Sequence, residues 1–342
     1  MNPADHTNDI IRLNFNENCY GCSPLVREGI ERVLLKELHL YPGAPVRLEN
    51  ELARRFGLSV DQVIAGAGSV RLIDGLIQTL VDETGELLIF ENSFVAYEQL
   101  AQAHSKKYRL IRQRDFICEP LSILHSLKPE TRLAFLANPN NPTGTIISHD
   151  QLEQLLVQLP SSVYLALDEA YVEYVTDPAY PDALSLLNRF PNLIILRSFS
   201  KMYGLAALRI GYALADATLC RAMKKKQIPF SINRVAEEAA LLALEDQLFV
   251  DYCKKENEAG RNYLLKELGD AGFHPLPSQG NFIYLHFDQR DDASHAAKAL
   301  AGRGILVSEL SGSGPQGALR IGVGDQPVNS RVVECLQHFH LP

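Results

Sequence analysis

The 342-residue sequence is poor in the features that direct a chain to a membrane, a nucleic acid or a disulfide scaffold. No stretch approaches the ~20 consecutive apolar residues of a membrane-spanning helix. The opening MNPADHTNDIIRLNF lacks the basic start and apolar stretch of a secretion signal, so a cytoplasmic protein is expected. Net charge is −8, and the only basic run is Lys224–Lys226, read as a solvated helix face. A phosphate-backbone binder would carry a basic stripe, and none is present. The six cysteines, at 19, 22, 118, 220, 253 and 335, are too scattered for a disulfide framework. Cys19 and Cys22 form a C-x-x-C, but no second pair completes a zinc site, and the motif lies in a loop instead of opening a helix. A structural or incidental role is expected for them. The ten histidines form no H-x-x-x-H or similar spacing, so no metal site is expected.

What the sequence does contain is a large apolar fraction, 46%, enough for a sizeable core and more than one domain. Leu87–Phe90, Leu133–Leu136, Val163–Leu167 and Leu193–Leu196 are short apolar runs bounded by polar or turn residues, and they read as buried strands. Between them lie helical patterns at Leu72–Leu80, Phe94–His104, His149–Gln158 and Pro181–Asn188. Such alternation predicts an α/β fold with a mostly parallel central sheet covered by helices on both faces. Lys224 to about Lys266 reads as one long helix. Short strands at 273–277, 281–287, 305–307 and 318–323, with helices at 293–303 and 328–338, predict a smaller α+β lobe. The N-terminal segment, with a helix near 24–38, is expected to join it. The division is then a large domain of 38–240 and a small one of 1–37 with 241–342.

In a parallel sheet the ligand lies beyond the carboxyl ends of the strands, so the residues just after each apolar run carry the interest. After LAFL comes Asn138-Pro139-Asn140-Asn141-Pro142-Thr143-Gly144, a rigid turn with amide donors. After VYLAL comes Asp168-Glu169-Ala170-Tyr171, and after LIIL comes Ser198-Phe199-Ser200-Lys201, with Arg209 downstream. Taken singly, each has a plain reading: a tight turn, a helix cap, a solvated lysine. Together they bring an amine, a carboxylate, a phenol, amides and a Ser/Ser/Arg anion pocket to one sheet edge. Pyridoxal phosphate, with its aldehyde, cationic ring nitrogen, phenolic oxygen and phosphate, would use every one of them.

SFSKMYGLAALRIGY, NPNNPTG and DEAY together resemble the fold-type I, class I/II aminotransferases, and most of all their histidinol-phosphate aminotransferase branch. LNFNENCYGCSP, Tyr41-Pro42, Gly66-Ala67-Gly68-Ser69 and Leu319-Arg320-Ile321-Gly322-Val323-Gly324 resemble further motifs of that branch, so the likeness runs from about residue 13 to 335. The resemblance implies that Lys201 holds the cofactor covalently and moves a proton at the substrate. It implies that Asp168 keeps the ring nitrogen protonated, and that Tyr171 and Asn141 bond the phenolic oxygen. Tyr97 matches the ring-stacking aromatic, with a core tyrosine as the other reading. Ser198, Ser200, Arg209 and the backbone of Ala67, Gly68 and Ser69 would hold the phosphate, at the start of a helix where orphan N–H groups suit an anion. Tyr41 matches a residue that reaches that phosphate from the neighbouring subunit, which implies a homodimer with shared sites. Arg320 would grip the substrate's anionic group, since a guanidinium suits carboxylate or phosphate; a surface ion pair is the other reading. Asn16, Glu17 and Tyr20 would lie near the substrate mouth, or form a loop tied down by Asx turns.

The sequence departs from the family pattern at three places. Val70 and Arg71 replace the two acids of its G-S-D-E turn, Ser308 stands where a basic residue is usual, and Cys19 and Cys22 replace prolines. The expected function is transamination between histidinol phosphate and 2-oxoglutarate. An aromatic amino acid aminotransferase comes second, and a decarboxylase of a phosphorylated amino acid third. A cofactor-binding regulator or inactive scaffold is the non-enzyme alternative.

Overall fold

Alternate residues of the central strands enter two different apolar cores, and this period of two defines the architecture. Leu88, Phe90, Leu165, Leu167 and Ile195 join one core, while Leu87, Ile89, Ala166, Ile194 and Leu196 join the other. Successive side chains of a strand point to opposite faces, so a run apolar at every position must be covered on both.

The computed structural model describes residues 10–310 and 317–339. A two-residue strand, β1 (Ile11–Arg12), precedes helices α1 (Pro24–Lys36) and α2 (Val46–Phe56). The central region follows as β2 (Val63–Gly66), α3 (Ser69–Leu80), β3 (Glu86–Phe90), α4 (Ala96–Ala103), β4 (Lys107–Ile111), α5 (Ser122–His125), β5 (Thr131–Ala137), α6 (His149–Gln158), β6 (Tyr164–Asp168), α7 (Ala183–Leu187), β7 (Leu193–Ser198), β8 (Gly211–Leu214) and α8 (Ala217–Lys224). These seven strands form one sheet in the order β2-β8-β7-β6-β5-β3-β4. Only β8 runs antiparallel to its neighbours. The α/β expectation is met, and the four strands foreseen, β3, β5, β6 and β7, are four of the five inner ones. β4 was not foreseen because it is an edge strand whose side chains are mostly exposed or half-buried, so KYRLI shows no apolar run.

The long helix expected from 224 onward is instead interrupted twice. After α8 the chain is irregular through Pro229 and Phe230, the latter at φ 60°. It resumes as α9 (Arg234–Glu245) and α10 (Gln247–Asp270). Asn233 accepts from the Ala236 amide at 2.8 Å, and Asp246 from the Phe249 amide at 3.1 Å. Each side chain satisfies an orphan N–H and starts a new helix, overriding the favourable Ala/Leu/Glu composition between them. Asp246 also accepts from Ser23 Oγ at 2.5 Å. Ser23 is itself the N-cap of α1, so two helix starts are tied together.

The second lobe holds β9 (His274–Leu276), β10 (Phe282–His286), α11 (Arg290–Gly302), β11 (Ile305–Leu306), β12 (Ser308–Glu309), β13 (Ala318–Gly322) and α12 (Gln326–Gln337). A four-stranded sheet, β12-β13-β10-β9, carries a third core. The N-terminal segment divides between the lobes: β1 pairs with β11 in parallel, and Leu13 enters the third core. Helix α1 instead packs on α9, with Val26 in the first core. Helix α10 runs through both, with Cys253 in the first core and Leu264 in the third.

Candidate active site

Strands β2, β5, β6 and β7 point the same way, so their carboxyl ends share one edge of the sheet. The chain leaving each end delivers one group of side chains: α3 after β2, the Asn138–Gly144 turn after β5, Asp168 at the end of β6, and Ser198–Lys201 after β7. Arg209 precedes the antiparallel β8 and therefore arrives at the same edge. From the second lobe, β13 supplies Arg320, and Asn14–Glu17 cross the mouth. These groups surround a cavity of about 440 Å³, lined by Lys201, Asp168, Tyr171, Asn141, Arg209 and Arg320 among others.

At the closed end, Ser198 Oγ accepts from the Ser200 amide at 3.0 Å, and Ser200 Oγ accepts from Arg209 Nη1 at 3.2 Å. Arg209 holds a left-handed backbone, φ 54°. Its guanidinium lies where a side chain on Gly68 would be: a Cβ there would come 2.7 Å from Nη2. Gly68 caps α3 without a side-chain hydrogen bond, and Ser69 and Val70 of the first turn face the cavity. The first amides of a helix lack intrahelical partners and carry its positive end. Ala67 precedes this turn and does not itself line the cavity. A guanidinium, two hydroxyls and the first amides of α3 gather here, a set able to hold one phosphate.

In the middle, Asp168 is buried, with Oδ2 accepting from Tyr97 Oη at 2.7 Å and Oδ1 from the Ala170 amide at 3.1 Å. Burial pushes its carboxyl up to about 6, against the pull of those two donors and of Lys201. Lys201 Nζ donates to the Phe15 carbonyl at 2.8 Å and lies 5.7 Å from the centre of the Tyr171 ring. Tyr171 Oη accepts from Asn16 Nδ2 at 3.1 Å. At the outer end, Arg320 donates from Nη1 to Asn141 Oδ1 at 2.5 Å and from Nη2 to the Asn14 carbonyl at 2.6 Å. Its Nε is buried with no partner, and burial holds its pKa below the usual arginine value. Ser308 Oγ donates to the same Asn14 carbonyl at 2.7 Å.

A scan against family models matches residues 8–336 to "Aminotransferase class I and II". The chain belongs to that aminotransferase family. Curated relatives agree. The histidinol-phosphate aminotransferase of Geobacillus sp. is 36% identical over 96% of this chain and 89% of its own length. Histidinol-phosphate aminotransferase 2 of Pseudomonas aeruginosa is also 36% identical, over 96% and 88%. Among solved structures, the Sinorhizobium meliloti histidinol-phosphate aminotransferase in complex with pyridoxal-5'-phosphate superposes with a TM-score of 0.90, at 26% identity over 97% and 91% of the two chains. An L-threonine-O-3-phosphate decarboxylase from Porphyromonas gingivalis shares the fold with a TM-score of 0.82, at 20% identity over 96% and 98%.

Within this aminotransferase, two sequence-predicted residues, Tyr97 and Tyr20, sit apart from the roles expected of them. Tyr97 was expected over a flat ligand. It is instead fully buried, stacked on Phe135 at 4.5 Å with its hydroxyl on Asp168. Both Tyr97 and the half-buried Phe94, edge-on to Tyr97 at 5.6 Å, line the cavity. Phe94 follows the end of β3, so the rule of looking just past each strand would have found it. Tyr20 packs against Tyr252 at 5.3 Å, outside the cavity. Tyr41 is 82% exposed, against Phe230, and does not line the cavity of its own chain, as a residue serving a neighbouring subunit requires. Sequence reasoning missed the carbonyls of Asn14 and Phe15, since a backbone acceptor leaves no residue signature. It also missed the ion pair of Arg197 Nη2 with Glu169 Oε2, at 2.8 Å, beneath the site.

Proposed function

We propose that this aminotransferase binds pyridoxal 5'-phosphate and transfers the amino group of L-histidinol phosphate to 2-oxoglutarate, as a cytoplasmic homodimer. The observation that carries this reading is one cavity with Lys201, Asp168, Tyr171 and Asn141 at its centre, the Ser198/Ser200/Arg209 cradle at one end and Arg320 at the other. Two features fit the cofactor: the space above Gly68 is filled by a guanidinium, and a buried carboxylate lies beside the lysine.

Bound there, the cofactor supplies an aldehyde that captures amino groups and a ring that withdraws electrons from the substrate Cα. The chain's residues do the rest. Arg209, Ser198, Ser200 and the backbone of Ala67, Gly68 and Ser69 hold the phosphate. Phe94 presents a ring face. Asp168, ionised at neutral pH and held by Tyr97, keeps a proton on the pyridine nitrogen. Tyr171 and Asn141 bond the phenolic oxygen, and the Lys201 ε-amine moves the proton at the substrate Cα. Arg320 binds the anionic group of each substrate by exchanging the Asn14 carbonyl for it, and Asn16 lies beside that group. Tyr41 reaches the phosphate of the neighbouring subunit.

A second reading, transamination of aromatic amino acids, is favoured by one observation. Ser308 adds no charge to Arg320, and its hydroxyl is engaged by the Asn14 carbonyl. The deciding experiment adds the cofactor to wild type and to Lys201→Ala, then compares donors with 2-oxoglutarate as acceptor. A visible absorbance band present in the first and absent in the second is expected, with histidinol phosphate giving the highest kcat/KM. A higher value for phenylalanine or tyrosine would give the aromatic reading the place.

A further inference from the structure

We propose that the buried Arg197–Glu169 ion pair is a positioning and charge-balancing device for the cofactor site, acting through Asp168 and Ser198. Glu169 is fully buried and Arg197 nearly so, and the guanidinium meets the carboxylate Oε2 from Nε at 2.9 Å and from Nη2 at 2.8 Å. Their positions in the chain give the pair its purpose. Glu169 directly follows Asp168, and Arg197 directly precedes Ser198. The pair therefore bridges the carboxyl ends of β6 and β7 where the carboxylate and the phosphate cradle begin. The Glu169 amide donates to the Leu196 carbonyl at 2.8 Å, continuing the sheet register under the site. The Tyr180 hydroxyl joins the third strand end, donating to the Asn138 carbonyl and lying 3.4 Å from Glu169 Oε1. Three ligand-bearing loops, after β5, β6 and β7, thus start from one buried charge cluster.

The cluster also sets the charge next to Asp168. Glu169 faces Arg197, Tyr180 and Asp182, while Arg197 faces Glu169, Glu173 and Tyr212 and lies 5.2 Å from the Phe56 ring centre. Asp168 itself faces Tyr97, Glu169 and Lys201. An ionised Glu169 beside Asp168 opposes a second negative charge there, and Arg197 cancels that opposition. In a low-dielectric interior such a charge acts over the short separation between neighbouring strand ends.

This inference rests on the cofactor reading above, and its test separates the two. The cofactor's visible band is titrated with pH, and the cofactor dissociation constant is measured, in wild type, Arg197→Gln, Glu169→Gln and the double variant. Arg197→Gln leaves an extra negative charge and is expected to raise the midpoint by several tenths of a pH unit. Glu169→Gln leaves an extra positive charge and is expected to lower it. The double variant should return toward wild type, while each single variant holds the cofactor at least tenfold more weakly. Midpoints that stay put, or that move in the same direction in both single variants, would reduce the pair to a stability element. Should the single variants fail to fold, Arg197→Lys keeps the charge but loses the fork. It is expected to keep the wild-type midpoint and bind the cofactor several-fold more weakly, and unchanged binding would overturn the proposal. A folded wild type that takes up no cofactor would remove the cofactor reading itself, and this inference with it.

Discussion

Asp168 is held in the free protein at a cost that the bound ligand would remove. Burial lifts its carboxyl from 3.8 to about 6, so between those values the folded state binds a proton that the unfolded chain has lost. Stability therefore falls as pH rises through this window, and the full penalty, on the order of 3 kcal/mol, is present above about pH 6. Asp168→Asn should raise the melting temperature of the cofactor-free protein at pH 7.5, with the gain fading toward pH 4, as thermal unfolding across pH would reveal. The same variant should retain cofactor poorly, because an amide cannot hold a pyridinium proton. At this scale the gathering of the candidate residues was legible in the sequence. Lys201, Asp168, Tyr171, Asn141, Arg209 and Arg320 all reach one cavity. Phe94 and Tyr97 both line the cavity, and only packing decided that Tyr97 is buried against Phe135 with its hydroxyl on Asp168 while Phe94 stays half-buried.

The turn from β2 into α3 concentrates the phosphate argument in one element. Gly68 has φ 83° and ψ 158°, a backbone region that is essentially restricted to glycine. Gly68→Ala meets that strain, about 1–3 kcal/mol, and also drives its Cβ into Arg209. The expected outcome is a modest drop in melting temperature and a loss of cofactor affinity of tenfold or more, measured by equilibrium dialysis. A variant with wild-type affinity would show that the α3 start does not hold the phosphate. The helix breaks belong to this scale too. Composition predicted continuous helix from 224 to 266, yet Asn233 and Asp246 each capture an amide and restart it. Both are cap residues by type, so the signal was present; the summed helix propensity around them obscured it.

At the scale of the whole molecule, the chain leaves several large apolar side chains exposed. Leu35 is 75% exposed, Leu38 66%, Tyr41 82% and Phe230 61%, an unusual set for a surface in contact with water alone. The proposed homodimer would cover these side chains and carry Tyr41 to the partner's cradle. Sedimentation should give twice the chain mass for wild type. Phe230→Asp should shift it toward monomer and lower activity together, while full activity in a monomer would sink the shared-site reading. No described helix is long and apolar enough to cross a membrane. Leu13 and Val26 show why the N-terminal segment could not be placed from sequence: thirteen residues apart, they enter different cores.

The sequence by itself determined the strand–helix alternation, the edge of the sheet where chemistry gathers, and the residue types brought there. Each of these is local: a period of two, an apolar run, the residue that follows it. Tertiary structure alone decided that β8 runs backward and brings Arg209 to the same edge. It also decided that the Asn14 and Phe15 carbonyls engage Arg320 and Lys201, and that Glu169 and Arg197 neutralise each other beneath Asp168. These depend on contacts between segments far apart in the chain, and neither a backbone carbonyl nor the mate of a buried charge is written in the residues beside it.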